Sequence, residues 1–292
     1  MHLSSDRAAP EASVTASAVA LGTWTENRPA AGWSGLNLRE VLEYRDLMLI
    51  LALRDLKVRY RQTVFGVAWA VLQPVLAMAI LSIFLGRLAK VPSNHLPYPL
   101  FVFAGLVGWN YCATAVTSSA GSLVEYRPLV TKVWFPRLIA PLAAILPALV
   151  DMMVSVVVVL VLLAIYGRVP PPTIVLMPLW VVGAMVVAAA VGVWLAAANA
   201  LYRDVRYILP VAIQLWLFLS PVLYPSSLVH GVERYVYALN PLVGVIDGFR
   251  WSLVHGPAPP AADLVSVISA LVLLASGLLY FGRVDRHLAD RI

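Results

Sequence analysis

The sequence has little charge and almost no cysteine. Only 12% of its 292 residues are Asp, Glu, Lys or Arg, whereas an ordinary soluble domain carries about 25%. With 61% hydrophobic residues and a mean hydropathy of +0.84, the chain has more apolar surface than one soluble core could hide. These values predict an integral membrane protein. The net charge of +6 does not indicate nucleic-acid binding, because the cations lie between apolar runs and not on a polar domain.

Signatures of enzymes and metal sites are missing as well. The single cysteine, Cys112, excludes an internal disulfide and any multi-cysteine metal site. In its apolar stretch it is either a small buried hydrophobe or a reactive thiol. None of the three lysines belongs to a P-loop, and no H-E-x-x-H or G-x-S-x-G motif occurs. The sequence therefore predicts no catalytic residue, metal or cofactor on this chain.

Charge is absent from long internal stretches. Residues 62–86 contain no Asp, Glu, Lys, Arg or His; as a helix they would span about 37 Å, more than a hydrocarbon core of about 30 Å. Such runs are too long and too uniformly apolar for the strands of a membrane barrel, so an all-α protein with six transmembrane helices is predicted. The six charge-poor runs are residues 62–86, 96–123, 138–166, 174–202, 207–224 and 264–282.

Two regions precede the spans. Residues 1–36 are rich in Ala, Ser and Pro and show no sustained period, which predicts a disordered cytoplasmic tail without a cleavable signal. Residues 37–61 predict an amphipathic interfacial helix that ends in a basic collar; a helix packed on a soluble partner is the alternative. Residues 62–292 are the six-span domain. The apolar stripe of the helix comprises Leu38, Val41, Leu42, Leu49, Ala52, Leu53 and Leu56.

The distribution of cations predicts the orientation. The collar, the second and fourth connections and the C-terminal tail carry twelve Lys or Arg residues, and the opposite side carries five. Because cytoplasmic loops hold the excess of Lys and Arg, both termini are predicted to be cytoplasmic. The collar is thus first of all a determinant of topology.

The connection before the last run, residues 226–258, is mostly apolar. Its two pieces, 229–239 and 242–254, are each too short to cross and are broken at Asn240 and Pro241. Proline cannot continue a helix, so a re-entrant helical hairpin is predicted; the alternative is a surface loop with helical turns. Asp247 and Arg250 lie three apart and could pair on one face.

Asp151 is the one ionisable residue in the third run. A carboxylate within a bilayer should face protein or water, so it belongs either to a polar pathway or to a hydrogen bond with a neighbouring helix. Aromatic residues near span ends are typical of an interfacial belt. Trp69 and Trp216 lie too deep for a belt and are candidates for a lumen. The predicted channel-lining residues are Trp69, Gln73, Trp109, Asp151 and Trp216.

Six sequence strings together resemble the permease subunits of type-2 ABC exporters of polysaccharides and polyol phosphates, such as O-antigen, capsule, teichoic acid and galactan. Each string is weak alone, and their order is specific. They are R-D-L-K-V-R-Y-R-Q-T-V-F-G-V-A-W-A-V-L-Q-P at 54–74, Y-P-L-F-V-F-A-G-L-V-G-W-N at 98–110, K-V-W-F-P-R-L-I-A-P-L at 132–142, Y-R-D-V-R-Y-I-L-P at 202–210, S-P-V-L-Y-P at 220–225 and L-N-P-L-V-G-V-I-D-G-F-R-W at 239–251.

The resemblance implies a multi-pass permease of a bacterial inner membrane that works as a homodimer with two copies of a separate ABC ATPase, which would bind ATP and Mg. It implies a coupling helix within residues 122–137 that docks on this ATPase. It also implies export of a lipid-linked glycan. Because the cationic collar would attract an anionic head group, we expect the pyrophosphate of this glycan to enter near Arg59 and Arg61. The likeliest coupling residues are Glu125, Arg127, Lys132, Phe135 and Arg137.

Two other functions share parts of this pattern. A drug or lipid exporter of the same superfamily would have the same topology. A membrane enzyme acting on lipid-linked sugars would need converging polar groups, which the sequence does not indicate.

Overall fold

The computed structural model describes residues 38–61, 68–130 and 135–288, and this part of the chain contains helices and no strands. The predicted tail, residues 1–36, and Lys132 lie outside it. A π-helical segment, Ser82–Leu88, directly follows the helix Ala68–Leu81. The helices are α1 (Leu38–Glu43), α2 (Arg45–Arg61), α3 (Ala68–Leu81), α4 (Tyr98–Glu125), α5 (Arg127–Val130), α6 (Ile139–Ala144), α7 (Ala148–Ile165), α8 (Met177–Leu201), α9 (Val205–Phe218), α10 (Val232–Tyr237), α11 (Leu242–Val254) and α12 (Leu264–Leu288).

Five helical segments of the described chain are long and apolar enough to cross a membrane. They confirm the prediction of an all-α membrane protein. Many of their apolar side chains are exposed, among them Val157, Val161 and Leu271, as is required where lipid is the solvent. The candidate spans are Ala68–Leu88, Tyr98–Leu129, Ile139–Ile165, Pro172–Leu201 and Ala261–Asp285.

The fifth predicted run forms a shorter helix than its sequence suggested. Helix α9 has 14 residues and is therefore about 21 Å long, less than a hydrocarbon core of about 30 Å. It ends before Ser220 and Pro221, because the residue before a proline is disfavoured in helical geometry. The sixth span thus stays a prediction.

Helix α4 lies at the centre of the packing and contacts α3, α6, α7, α8 and α11. Small residues let its neighbours approach closely, as is usual between membrane helices. A Cβ added at Gly108 would lie 3.0 Å from the ring of Phe249, and one at Gly192 of α8 would lie 2.6 Å from Ser119 Oγ. Cys112 is buried in this core, which fits a small hydrophobe better than a reactive thiol.

The N-terminal helix is interrupted at a single residue, Tyr44, which has turn geometry and separates α1 from α2. Its packed face coincides with the predicted stripe only in part. Leu51 is the most buried residue and packs with Tyr44 and Met48 near α6, and Val41 of the stripe packs against the same core. Of the stripe, Ala52 is buried, whereas Leu42, Leu49, Leu53 are exposed. The helix is therefore apolar on two faces. An outward apolar face suits a membrane surface, and the interfacial position stays a prediction.

The connection before the last span contains two helices, α10 and α11. The helical structure is interrupted between them, at the predicted Asn240 and Pro241. Asn240 Oδ1 accepts a hydrogen bond from the Leu242 N–H, 3.1 Å away, which satisfies a donor at the start of α11. Helix α11 is buried along its length. A Cβ at Gly248 would lie 2.1 Å from the Trp180 ring, so only glycine allows this contact with α8.

Candidate functional site

The cationic end of α2 meets the start of α7 through Asp151. Arg59 Nη1 lies 2.6 Å from Asp151 Oδ2, and the Tyr60 hydroxyl donates to Asp151 Oδ1. Asp151 lies in the first turn of α7, where a negative charge is favoured by the helix dipole. The contact joins residues 92 positions apart. The alternative in which Asp151 bonds a neighbouring helix is therefore realised, and its partner belongs to the predicted entry site.

The Arg59–Asp151 pair is accessible and not sealed in the protein. The Arg59 side chain is 34% exposed and that of Asp151 30% exposed. Burial and the hydrogen bond to Asp151 raise the pKa of Tyr60 to about 12, so at neutral pH its hydroxyl remains protonated and serves as a donor. Arg61, the other predicted entry residue, ends α2 and is exposed.

A cavity of about 330 Å³ adjoins this pair between α3, α4 and α7. Three predicted channel-lining residues, Trp69, Gln73 and Asp151, line it together. No spacing or motif in the sequence indicates which residues of α4 line the cavity with them. The polar or aromatic lining residues are Trp69, Gln73, Asn110, Tyr111, Thr114, Asp151 and Ser155.

The other two predicted lining residues, Trp109 and Trp216, are not among the residues that line this cavity. Their rings form an edge-to-face contact with centroids 5.8 Å apart, a geometry that aromatic pairs favour. Trp216 Nε1 also donates to Asn240 Oδ1 at 3.0 Å. These two tryptophans therefore join α4, α9 and the α10–α11 break.

A second group of charges is deeply buried around α10 and α11, and we call it the buried charge cluster: Ser226, Arg234, Asp247, Arg250 and Asp263. Arg234 Nη2 lies 3.1 Å from Asp247 Oδ2 and 2.5 Å from Asp263 Oδ1. The Ser226 hydroxyl donates to Asp247. The predicted contact of Asp247 with Arg250 is present at 3.7 Å. Two arginines thus face two aspartates.

Arg250 is held by carbonyl groups as much as by Asp247. Its Nε donates to the Phe101 carbonyl at 3.3 Å and its Nη2 to the Val222 carbonyl at 2.8 Å. Its guanidinium also lies 3.7 Å from the centroid of the Phe101 ring, a cation–π contact. The cluster therefore ties α11 to α4. Sequence reasoning missed Ser226, Arg234 and Asp263, because only the tertiary fold brings them to Asp247.

The predicted coupling residues divide into two kinds. Glu125 and Arg127 are exposed where α4 ends and α5 begins. Phe135 is buried in an internal core with Leu138, and Arg137 Nη1 lies 3.3 Å from Asp285 Oδ1 of α12. The exposed pair can reach another protein, whereas Phe135 and Arg137 fix this segment to its own chain.

Together these features define a class of protein. Three helical spans line a cavity that has apolar and polar walls, a charged pair lies at its edge, and residues 38–61, 68–130 and 135–288 contain no group of three or more His, Cys, Asp or Glu side chains that could hold a metal ion. The chain is a multi-pass membrane protein, and it belongs to the ABC-2 type transporter family, which residues 46–254 match.

Three proteins that are similar to this chain over most of its length share one name. The O-antigen export system permease protein RfbA of Myxococcus xanthus is 32% identical over 240 residues, covering 81% of this chain and 91% of that protein. Two proteins of the same name from Klebsiella pneumoniae are each 25% identical over 249 residues, covering 84% of this chain and 94% of theirs.

Proposed function

We propose that this chain is the permease subunit of an ABC exporter that moves a lipid-linked polysaccharide across the cytoplasmic membrane of a bacterium. The similarity to the O-antigen export permease of Myxococcus xanthus carries the proposal, because it covers 81% of this chain and 91% of that protein. Membership of the ABC-2 type transporter family agrees with it. No P-loop occurs in the sequence, so ATP hydrolysis is assigned to a separate subunit.

The proposed assembly is a homodimer of this chain with two ATPase subunits, which bind ATP and Mg. Each permease subunit has six spans, both termini in the cytoplasm and a re-entrant hairpin formed by α10 and α11. The short helices and their break at Asn240 support the hairpin. The excess of Lys and Arg in the inner connections supports the orientation.

In the proposed mechanism, ATP binding closes the ATPases and moves the segment around α5. The exposed Glu125 and Arg127 support this segment as the docking surface, and the Arg137–Asp285 contact would carry the movement to α12. The lipid-linked glycan enters between α2 and the first span, with its pyrophosphate at Arg59 and Arg61. A cationic helix end on an anionic membrane surface favours such a head group.

The decisive experiment is co-purification with the ATPase encoded nearest to this gene, followed by reconstitution into vesicles with a lipid-linked glycan. We expect a stable complex of two permease and two ATPase subunits that moves the glycan only with ATP. Movement of drugs or simple lipids without glycan movement would favour the other exporter class of the superfamily. A chain that purifies alone and moves glycan without ATP would refute the proposal.

Replacing both Arg59 and Arg61 by Gln tests the entry site. We expect correctly inserted protein that still binds the ATPase and no longer moves glycan, because the phosphate has lost its cations. Arg45→Gln is the matched control, since Arg45 lies on the same helix and its side chain is 76% exposed. Full glycan movement by the double variant would contradict the entry site.

A further inference from the structure

Tyr126 joins the segment around α5 to helix α2. It is the single residue between α4 and α5, and its N–H donates to the Ser122 carbonyl while its carbonyl accepts from the Leu129 N–H, both at 2.8 Å. Its hydroxyl donates to Asp55 Oδ2 of α2. The backbone of Tyr126 thus belongs to the proposed docking surface, and its side chain is bonded to another helix.

Asp55 is held through both of its carboxylate oxygens. Arg54 Nη2 donates to Asp55 Oδ1 at 3.1 Å, and the Arg54 guanidinium lies 4.7 Å from the centroid of the Tyr126 ring. Each of the three side chains therefore contacts the other two. Tyr126 is 2% exposed and belongs to the same buried core as Leu51 of α2, so packing fixes this contact as well as hydrogen bonding.

The same face of α2 leads from Asp55 to the proposed entry site. Asp55 and Arg59 are four positions apart in one continuous helix, so they share a face and lie about 6 Å apart along the helix axis. Arg59 in turn contacts Asp151 of α7. A single turn of α2 therefore separates the contact with Tyr126 from the arginine proposed to meet the pyrophosphate.

Resting on the function proposed above, we propose that Tyr126 and Asp55 are positioning residues that couple the ATPase to the substrate-entry site. When the ATPase displaces the segment around α5, the Tyr126 hydroxyl displaces Asp55, and α2 carries this movement to Arg59. The Arg137–Asp285 contact leads from the same connection to α12 and reaches another part of the fold. A bonded contact followed by a rigid helical turn is a physical route for such coupling.

Tyr126→Phe tests the contact, because it removes one hydroxyl and keeps the ring that packs in the core and faces Arg54. Asp55 keeps its cation, and at 27% exposure water can reach the oxygen that loses its hydrogen bond. The complex of permease and ATPase in lipid nanodiscs is titrated with a polyprenyl diphosphate, with and without a non-hydrolysable ATP analogue. The readout is the ratio of the two affinities for the lipid.

We expect the nucleotide to change the lipid affinity of the wild-type complex by about 5-fold or more, the lower end of typical coupling between two sites. In Tyr126→Phe we expect a change of less than about 2-fold, with the nucleotide-free affinity retained, because the two sites then bind independently. A loss of folding alone would lower both affinities and leave their ratio. An equal ratio in wild type and variant, or no nucleotide effect in the wild type, would overturn the proposal.

Two changes of Asp55 sharpen the test. Asp55→Asn keeps an oxygen that accepts from Tyr126 and should retain the nucleotide effect, whereas Asp55→Ala should lose it. Asp55→Ala combined with Tyr126→Phe should be no worse than either change alone, because both remove the same contact. Additive losses would show that the two residues act separately and would overturn the proposal.

Tyr202→Phe is the matched control. Tyr202 directly follows α8 as Tyr126 directly follows α4, it lies on the same predicted side of the membrane, and it is 62% exposed. We expect its nucleotide effect to equal that of the wild type. A loss of the effect in this variant would show that the result does not depend on the contact with Asp55 and would overturn the assignment.

The two readouts separate this inference from the proposed function. A nucleotide effect on lipid binding that requires Tyr126, in a complex that moves no glycan with ATP, would support the contact and refute the exporter. ATP-dependent glycan movement by a complex whose nucleotide effect survives Tyr126→Phe would support the exporter and refute the contact.

Discussion

The Arg59–Asp151 pair and the buried charge cluster use the same two side-chain types in opposite environments. Arg59 and Asp151 are 34% and 30% exposed, and a cavity adjoins them. In the cluster, Arg234, Asp247 and Asp263 are 9%, 10% and 6% exposed. An exposed pair can exchange one partner for a ligand, whereas a buried pair loses its partner only at a large cost. Burial, and not the chemistry of the pair, therefore decides which of the two groups can accept a ligand in place of one partner.

The largest effect on stability is expected from Arg234→Met. This change leaves Asp247 and Asp263 buried without their shared cation, which typically costs about 3–5 kcal/mol. Thermal unfolding in detergent, followed by the loss of the monodisperse peak, measures it. Arg45→Met is the matched control, because the Arg45 side chain is 76% exposed. Equal unfolding temperatures of the two variants would contradict the view that a buried arginine contributes more to stability than an exposed one.

Arg250→Lys should have the second largest effect. Lysine keeps the charge and loses the planar fork that reaches the Phe101 and Val222 carbonyls. We expect a loss of about 1.5–3 kcal/mol, the range for hydrogen bonds to a charged group. The same unfolding assay applies, with Arg168→Lys at an exposed position as control. A stability equal to that of the control would mean that charge alone holds this part of the cluster.

Exchanging the two partners, Arg59→Asp with Asp151→Arg, sharpens the comparison on the exposed side. The ion pair is retained in reverse, but Tyr60 loses its acceptor and the first turn of α7 gains a cation, so we expect a loss of stability of about 1–2 kcal/mol. Glycan movement should nevertheless be lost, because α2 would then present a carboxylate to the phosphate. ATP-dependent movement in vesicles measures this. Full activity would show that only the link between α2 and α7 matters and that Arg59 has no role toward the substrate.

The smallest effect is expected from Arg54→Ala. Arg54 lies 3.1 Å from Asp55 and is 50% exposed, and such pairs contribute about 0.2–1 kcal/mol. Its guanidinium also lies 4.7 Å from the centroid of the Tyr126 ring, which adds a contact of similar size. The unfolding temperature should change little. A loss of stability as large as that of Arg234→Met would show that the exposure of a charged pair does not determine how much it contributes to stability.

The sequence predicts the parts of this fold that depend on local composition. Hydropathy places five spans near their observed limits because each must match the bilayer by itself. The break at Asn240 is equally local, because proline acts on its immediate neighbours. The fifth charge-poor run is longer than the helix within it, because its apolar composition continues to Tyr224 whereas the helix ends at Phe218.

The candidate site depends on contacts that no local pattern contains. The sequence marks Asp151 as unusual, but its partner Arg59 is 92 positions away, and periodicity carries no information at that distance. Arg234 reads as a loop cation in the sequence, and it is buried because Asp247 and Asp263 approach it from two other elements.

Asn240 has a mechanical consequence beyond ending a helix. Its Oδ1 accepts from Trp216 Nε1 and the Leu242 N–H, and its Nδ2 donates to the Leu219 carbonyl and Ser220 Oγ, all within 3.1 Å. One amide group thus uses its full bonding capacity to join the end of α9 to the start of α11. The end of α9 and the start of α11 cannot shift separately without breaking several hydrogen bonds of Asn240 at once. We therefore expect these two helix ends to move together as one rigid unit.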